Sequence, residues 1–505
     1  MFHVRTTKTA SGAVAVQVVR YQDRKTMVVS HIGSTHDPKE IDSLKQAGLQ
    51  WIEKESKQLS LLPKESQTSS KVLVLDKAKY LGIRHTFFLE VIRKIFQDFR
   101  FNQLKNQLLL DLTMIRIIEP VSKLESLELL SEMFGIVYKE GSLYQAMTSF
   151  STFKDEVEKC VVRIAKKHFD FDFSIVFYDV TTLYFESFKE DEDDFGNAGL
   201  RRNGFSKDNK SNQPQIVIGL IVSSDGFPVS YEIFAGNTFE GKTFLPSILK
   251  FKDTHQVKTL TIVADAAMIS LENVQKLLEN NLSYIVGARV ANLKIDLIKQ
   301  ISLKLNQTDG SNLRVKTDRG FLVCDFSQKR YNKDKHEMEK AIQKAERMLG
   351  NIGAGLKRAK FLKPKGKSDY ELNTELVGKT KLLLGIKGYY TNLTTQSNQT
   401  IIDNYHNLWH VEKAFRIAKS DLKMRPIYHY KEATIKAHIL ICFMALSVTK
   451  YMELKTGKST KRIVKLLKSI TDARILDTLI GEEIVMRKEL DEEIKQLWKT
   501  LTMSY

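Results

Sequence analysis

Three acidic residues lie in segments where a catalytic metal site could form. Asp179 interrupts the apolar run "SIVFYDVTTLYFE" (174–186), whose β-branched and aromatic residues predict a buried strand. Asp265 ends a second predicted strand, "TLTIVAD", and Glu412 lies in the predicted helix "NYHNLWHVEKAFRIAKSDL". If these segments meet in the fold, three carboxylates could hold two divalent cations and support phosphodiester chemistry. Taken singly, each position is also typical of a turn former, a helix cap or a solvated charge.

The charge balance of the chain indicates a polyanionic partner. The 505 residues include 78 Lys and Arg against 60 Asp and Glu, a formal net charge of +18. Such an excess is typical of proteins that bind nucleic acid, although a basic surface can also serve solubility alone. The three cysteines, Cys160, Cys324 and Cys442, form no CxxC pair. This argues against a disulfide framework or a zinc ribbon and favours a reducing compartment.

No targeting segment is predicted. The N-terminal "MFHVRTTKTASG" lacks an apolar region typical of a secretory signal, and the longest apolar stretch, Ala437–Val448, is too short to span a bilayer. We therefore interpret that stretch as part of a core helix and expect no membrane association.

Two other patterns could carry different chemistry. "GNTFEGKT" (Gly236–Thr243) fits the P-loop consensus, and "TLTIVAD" could then be a Walker B strand. Against this alternative, the short interval from Lys242 to Asp265 has room for only one helix and one strand. His406 and His410 are spaced as a possible zinc pair, but no HExxH motif or nearby cysteine completes a site.

The periodicity of the sequence predicts an α/β protein with several segments. Alternating apolar residues predict strands near the N-terminus, three- and four-residue spacing predicts helices after about residue 75, and strands and helices alternate from about residue 174. The predicted segments are a β-rich N-terminal region (1–60), a helical domain (61–165), an α/β domain (166–290 and 381–455), an insertion (291–380) and C-terminal helices (456–505). The basic and aromatic residues of the helical domain could bind DNA or form its interior.

Several motifs, taken in order, resemble those of the DDE-type insertion-sequence transposases. They are "FYDVTTLYFE", "GNTFEGKT", "VADAAMIS", "GYYTNL" and "FRIAKSDLKMRPIYH". The subgroup with a Tyr–Arg–Glu–Lys signature is the most similar, because Tyr405, Glu412 and Lys419 match that signature in register. Leu408 departs from it at the arginine position. The resemblance extends from about Leu110 to Tyr451.

The resemblance implies a ribonuclease-H-like catalytic core with a β-rich insertion between the second Asp and the Glu. It implies that Asp179, Asp265 and Glu412 are catalytic and bind two Mg²⁺ ions, with Mn²⁺ able to substitute. It also implies that Tyr405 and Lys419 contact DNA. Since Leu408 cannot bind a phosphate, we hypothesise that Arg416, one turn beyond Glu412, takes that role.

The predicted function is that of a DNA transposase of an insertion sequence, which binds terminal inverted repeats and catalyses metal-dependent DNA cleavage and strand transfer. The resemblance further implies a homodimer in a synaptic complex, with the C-terminal helices as a candidate interface, and a bacterial, nucleoid-associated protein in the cytoplasm. Three alternatives remain at this stage: a nuclease of the same fold without strand transfer, a P-loop NTPase that acts on DNA, and a DNA-binding protein that has lost catalysis.

Overall fold

The structure is a computed structural model. It describes residues 2–22, 25–55, 75–191, 199–205, 210, 212–268, 270–350, 359–365, 369–478 and 480–502. The predicted boundary between residues 60 and 61 lies outside the described residues.

The strands are, in chain order, β1 (Phe2–Lys8), β2 (Val14–Gln22), β3 (Lys25–Thr35), β4 (Ala78–Arg84), β5 (Ile175–Tyr184), β6 (Gln215–Val222), β7 (Pro228–Ala235), β8 (Thr261–Ala264), β9 (Ser283–Ala288), β10 (Asn312–Thr317), β11 (Gly320–Phe326), β12 (Leu362–Pro364), β13 (Tyr370–Leu372), β14 (Ile386–Thr391), β15 (Asp472–Asp477) and β16 (Glu482–Arg487).

The helices are α1 (Pro38–Glu55), α2 (Thr86–Phe99), α3 (Gln107–Ile118), α4 (Lys123–Phe134), α5 (Glu140–Phe150), α6 (Lys154–Phe169), α7 (Glu240–His255), α8 (Leu271–Glu279), α9 (Ile295–Leu305), α10 (Gln328–Gly350), α11 (Thr374–Leu382), α12 (Asn398–His406), α13 (Trp409–Arg416), α14 (Glu432–Thr456), α15 (Thr460–Lys468) and α16 (Glu492–Thr502). A π-helical turn, Ile417–Asp421, follows α13 directly.

The chain divides into two compact units. The first comprises Met1–Ile92, Glu128–Val137 and Val464–Lys499. It contains an antiparallel sheet of β1, β2 and β3, against which α1 packs, and a second antiparallel sheet in the order β16-β15-β4.

The second unit comprises Arg93–Leu127, Tyr138–Ile463 and Thr500–Tyr505. Its centre is an eight-stranded mixed sheet in the order β10-β11-β14-β9-β8-β5-β6-β7. The three strands β5, β8 and β9 run parallel, and every other neighbouring pair is antiparallel. All eight residues of β6 are buried, which is typical of a strand with both faces covered.

Helices cover the two faces of this sheet around β5. The buried Tyr178 hydroxyl donates to Thr243 Oγ1 of α7 at 2.8 Å, so α7 covers the face to which Tyr178 points. Since side chains alternate along a strand, the neighbouring Asp179 points to the opposite face. α13 packs on β5 and β6, and α12 packs on β8, β9 and β14.

The apolar stretch at Ala437–Val448 belongs to a longer helix than predicted. α14 has 25 residues and is long and apolar enough to cross a membrane by length and composition alone. However, 83% of its most apolar window is buried inside the protein, where it packs against α3, α5 and β7. The structure therefore places it as a core helix, as predicted.

Three predicted elements differ from the structure. The single helix expected around Glu412 is interrupted at Asn407 and Leu408, where α12 ends and α13 begins. The C-terminal segment, predicted as helical, contains β15 and β16, because β15 pairs with β4 from the distant N-terminal part of the chain. The insertion is richer in helix than predicted, since α9, α10 and α11 lie in it, while its strands β10 and β11 extend the large sheet.

Candidate active site

Asp179 and Asp265 are carried by neighbouring parallel strands in matching register. The last residue pair between β5 and β8 is Tyr178 with Ala264. The residue that follows each member of this pair is one of the two aspartates. In the same way, the pair Ala264 and Val286 puts Asp265 level with Gly287 of β9. Aligned residues of parallel strands point to the same face. The backbone thus directs both carboxylates to the face opposite α7.

Tyr405 of α12 lies over this end of the sheet. Its hydroxyl donates to Asp265 Oδ1 at 3.3 Å, and a Cβ atom on Gly287 would lie 2.5 Å from the same hydroxyl oxygen. Glycine at position 287 therefore gives the phenol ring the room it needs. Asp265 Oδ1 also accepts a hydrogen bond of 2.6 Å from the Ala266 amide. These two bonds orient the carboxylate of Asp265.

All three candidate carboxylates influence the Tyr405 hydroxyl. Burial raises the pKa of Tyr405, and the negative charges of Asp265, Glu412 and Asp179 together with the hydrogen bond to Asp265 raise it further. The hydroxyl therefore stays protonated and acts as a donor. Asp265 and Glu412 are exposed and Asp179 is half-buried. The structure brings the three residues to one region of the sheet.

The arrangement is more open than a filled metal centre. Among the residues that the structure describes, no three His, Cys, Asp or Glu side chains form a compact cluster that could hold a metal ion. His406 and His410 form no such site either: His406 Nε2 lies 3.3 Å from the Tyr389 hydroxyl, whereas His410 stacks on Trp409. The chemistry of the carboxylate set still suits a divalent cation, because all of its donors are hard oxygens.

Two residues at this site were not predicted from the sequence as functional. Lys387 of β14 holds its ammonium 4.6 Å from the centre of the Tyr405 ring, and the Tyr389 ring packs against Tyr405 with centroids 4.7 Å apart. Burial and the charge of Arg330 lower the pKa of Lys387, while Asp325, Asp265 and Glu412 oppose that shift. The Lys387 side chain thus lies near Asp265 and Glu412. The alternation in "IKGYY" could have revealed it, since residues 387 and 389 share one face of a strand.

The residues expected to contact DNA occupy different surroundings. Arg416 is exposed on α13, one turn beyond Glu412, and Lys419 is half-buried on the π-helical turn. Tyr405 is only 7% exposed, so most of its surface is engaged within the protein. Leu408 is buried at the start of α13, and its apolar side chain has no group that could bind a phosphate.

The P-loop alternative does not fit the fold. β7, which precedes Gly236, is an edge strand antiparallel to β6, and β5 and β6 separate it from β8. The Gly236 amide donates to the Leu200 carbonyl, and the Lys242 amide donates to the Phe239 carbonyl. A phosphate-binding loop needs a parallel strand at its start and free amides.

Comparison with known proteins relates this chain to transposases. A family model described as "Transposase DDE domain" matches residues 170–448, more than half of the chain and a range that contains all three candidate carboxylates. Among solved structures, a piggyBac transposase synaptic complex with hairpin DNA, determined by cryo-EM, is similar with a TM-score of 0.37 and 10% sequence identity. That match covers 76% of this chain and 69% of the other. No curated protein matches the sequence.

Proposed function

Because this chain belongs to the transposase DDE family and is a DNA transposase that catalyses DNA cleavage and strand transfer, we propose that Asp179, Asp265 and Glu412 are its catalytic carboxylates. The observation that carries the proposal is the register of β5 and β8, which aligns the two aspartates at one edge of the parallel strands. The packing of α13 on β5 and the shared influence of the three carboxylates on Tyr405 support the inclusion of Glu412.

The proposed core is ribonuclease-H-like. The strand order is β7-β6-β5-β8-β9. An antiparallel meander of β5, β6 and β7 lies on one side, and β8 and β9 run parallel to β5 on the other, which supports this proposal. The additional strands β14, β11 and β10 extend the sheet beyond β9. The match of Tyr405, Glu412 and Lys419 to the Tyr–Arg–Glu–Lys signature supports membership of that subgroup.

DDE transposases use divalent metal ions, and we propose that the three carboxylates bind two Mg²⁺ ions here, or Mn²⁺ in their place. Bound metal would activate an attacking oxygen and stabilise the leaving oxygen of the phosphodiester. The protein's own groups position this chemistry. The Tyr405 and Ala266 bonds to Oδ1 fix the orientation of Asp265, and Lys387 is placed to attract a phosphate toward the carboxylates.

The proposed substrates are the terminal inverted repeats of the element and its target DNA. Arg416 and Lys419, beyond Glu412 on the same helical stretch, are proposed to contact the DNA backbone, and Tyr405 to approach the cut end. A homodimer in a synaptic complex and a location in the bacterial cytoplasm, associated with the nucleoid, complete the proposal.

The decisive experiment is cleavage of a duplex that carries the element's end, with Mg²⁺, by the wild-type protein and by Asp179→Asn. We expect the variant to cut more slowly by roughly 10²–10³-fold or more, since it removes a charge that acts on the reacting phosphate. Asp253→Asn, an exposed position on α7, is the matched control and should cut as the wild type does. Undiminished cutting by Asp179→Asn would refute the assignment.

Strand transfer is tested separately from cleavage. A pre-cut end with a free 3′-hydroxyl should be joined to target DNA by the wild type and not by Asp179→Asn. Cleavage without joining would instead indicate a nuclease of the same fold.

A further inference from the structure

Two buried basic side chains in the second unit have no carboxylate partner among the residues that the structure describes. Arg116, on α3, is 5% exposed, and Lys123, the first residue of α4, is 4% exposed. Within the described parts of the chain, neither side chain forms an ion pair or a hydrogen bond. Buried charges are normally paired, because removing an ion from water without compensation is costly. Burial and the charge of Arg116 lower the pKa of Lys123, and a bound anion would offset that shift and favour the charged form. The two residues therefore point to an anion that completes the site.

Both side chains line a cavity of about 1070 Å³. Lys423, Arg425 and Lys431 also line it, whereas Glu125 is the only lining residue with a carboxylate among those described. Burial lowers the pKa of His429 to about 4, with further lowering by Lys123 and Arg116, so this imidazole remains neutral near pH 7. The positive charge in the cavity thus comes from arginine and lysine, and among the described residues no carboxylate forms an ion pair with Arg116 or Lys123.

Three aromatic rings accompany these cations in the lining. Tyr144, Tyr428 and Tyr430 line the cavity, and Tyr428 and Tyr430 are 65% and 60% exposed. Exposed aromatic rings beside a basic groove are typical of sites for single-stranded nucleic acid, where bases stack on the rings and cations hold the backbone. A paired duplex would not present its base faces to these tyrosines.

The segment that carries two of these tyrosines is attached to the strand of Asp179. The Ile427 amide donates to the Tyr184 carbonyl at 3.3 Å at the end of β5, and Ile427 forms an isolated bridge with Phe185. Arg201 holds its guanidinium 5.2 Å from the centre of the Tyr430 ring. The same segment follows α13 and the π-helical turn. The cavity is therefore connected directly to the elements that carry Asp179 and Glu412.

We propose that this cavity binds an unpaired stretch of DNA, with a backbone phosphate at Arg116 and Lys123 and bases stacked on Tyr428 and Tyr430. The identity of the ligand as DNA rests on the proposed function, whereas the anion site rests on the two unpaired cations. Such a site would hold a strand that has separated from its complement, in a segment attached to the end of the strand that carries Asp179.

The test is the affinity of the full-length protein for a labelled short oligothymidylate and for a blunt duplex of the same length, measured by fluorescence anisotropy in EDTA so that no cleavage occurs. Lys123→Met removes the charge and keeps most of the volume, and it should weaken oligothymidylate binding about tenfold, with a smaller effect on the duplex. Tyr430→Ala should weaken oligothymidylate binding by roughly tenfold as well. The controls are Lys304→Met and Tyr21→Ala, both at exposed positions.

Thermal unfolding separates binding from structure. Lys123→Met should unfold at the same or a higher temperature than the wild type, because it removes an unpaired buried charge. Unchanged oligothymidylate affinity in Tyr430→Ala and in folded Lys123→Met would overturn the inference, as would an equal loss of duplex binding. Cleavage of element ends is scored independently. Unchanged oligothymidylate binding in the cavity variants, together with loss of cleavage in Asp179→Asn, refutes only the cavity. Weakened oligothymidylate binding in the cavity variants, together with undiminished cleavage by Asp179→Asn, refutes only the proposed catalytic site.

Discussion

Tyr405 connects the carboxylates to the helix that follows the insertion. Its hydroxyl bonds to Asp265, its ring lies against Tyr389, and Lys387 lies over its face. From these contacts we expect Tyr405 to position Asp265 within the protein, in addition to any contact with DNA. The role follows from burial, since a ring with so little exposed surface acts mainly on its protein neighbours.

Replacing Tyr405 by Phe tests this positioning role. The change removes one hydrogen bond to an ionised carboxylate, which is worth about 1.5–3 kcal/mol, and keeps the ring contacts. We expect end cleavage to slow by roughly tenfold or more, and the free energy of unfolding to fall by no more than the value of this hydrogen bond, as measured by single-turnover kinetics and calorimetry. Tyr390→Phe makes the same chemical change on the opposite face of β14 and should leave the rate unchanged. Equal rates for Tyr405→Phe and the wild type would exclude a positioning role.

Arg416 and Lys413 provide a matched pair on one helix. Lys413 Nζ lies 4.0 Å from a Glu453 carboxylate oxygen and over the Trp409 ring, whereas in the described part of the chain no carboxylate pairs with the exposed Arg416. Arg416 is therefore available for a phosphate, as the hypothesis that it takes the role of the arginine missing at Leu408 requires. Arg416→Ala should weaken binding of the transposon end about tenfold. It should also reduce the slope of log binding constant against log salt concentration by about one, and Lys413→Ala should have a smaller effect on both. Filter binding at several salt concentrations measures both, and equal effects would remove the assignment.

At the residue scale, the sequence indicated the candidate carboxylates but not the residues that surround them. Asp179 is conspicuous because a charge interrupts an apolar strand. Lys387, Tyr389 and Gly287 are inconspicuous, because lysine, tyrosine and glycine are ordinary residues of a strand. Their role depends on the order of strands in the sheet, which local patterns do not specify.

At the scale of elements, the break between α12 and α13 is the main departure from the sequence-based prediction. The apolar spacing continues through Asn407 and Leu408, so a single helix is the natural expectation. In the structure, Leu408 is buried at the start of α13, and the two helices pack on different strands. Tertiary packing thus overrides the local pattern, and it allows Tyr405 and Glu412 to face the same site from separate helices.

The C-terminal strands depend on a pairing that the local sequence could not reveal. β15 and β16 are short, charged and separated by a turn, and β15 completes its sheet with β4. Arg487 at the end of β16 stabilises this arrangement. Its guanidinium bonds to the buried Asp472 at 2.7 Å and to Glu90 at 2.8 Å, and the hydrogen bonds to both carboxylates raise the pKa of Arg487.

Arg487→Met should therefore destabilise the first unit. The change leaves the Asp472 carboxylate, which is 1% exposed, without its charged partner, at a cost of about 1–3 kcal/mol. Arg474→Met is the control, because the Arg474 and Glu483 pair lies across the exposed hairpin and should contribute little to stability. Urea unfolding followed by circular dichroism measures both. Equal free energies of unfolding for Arg487→Met and Arg474→Met would show that the buried aspartate does not need this arginine.

At the scale of the whole molecule, the net charge of +18 should dominate the affinity for DNA. Each neutralised phosphate releases counterions, so the logarithm of the binding constant should fall linearly with the logarithm of salt concentration. If the protein makes about six to ten phosphate contacts, affinity should fall by roughly 10³–10⁵ between about 50 and 200 mM salt. Binding titrations with an end duplex and with a duplex of random sequence measure this dependence. We expect the two duplexes to show similar slopes of log binding constant against log salt concentration but different affinities at any one salt concentration. The reason is that contacts to the DNA backbone set the salt dependence, whereas contacts to the bases set the sequence preference. A flat salt dependence would mean that the basic residues do not face the DNA.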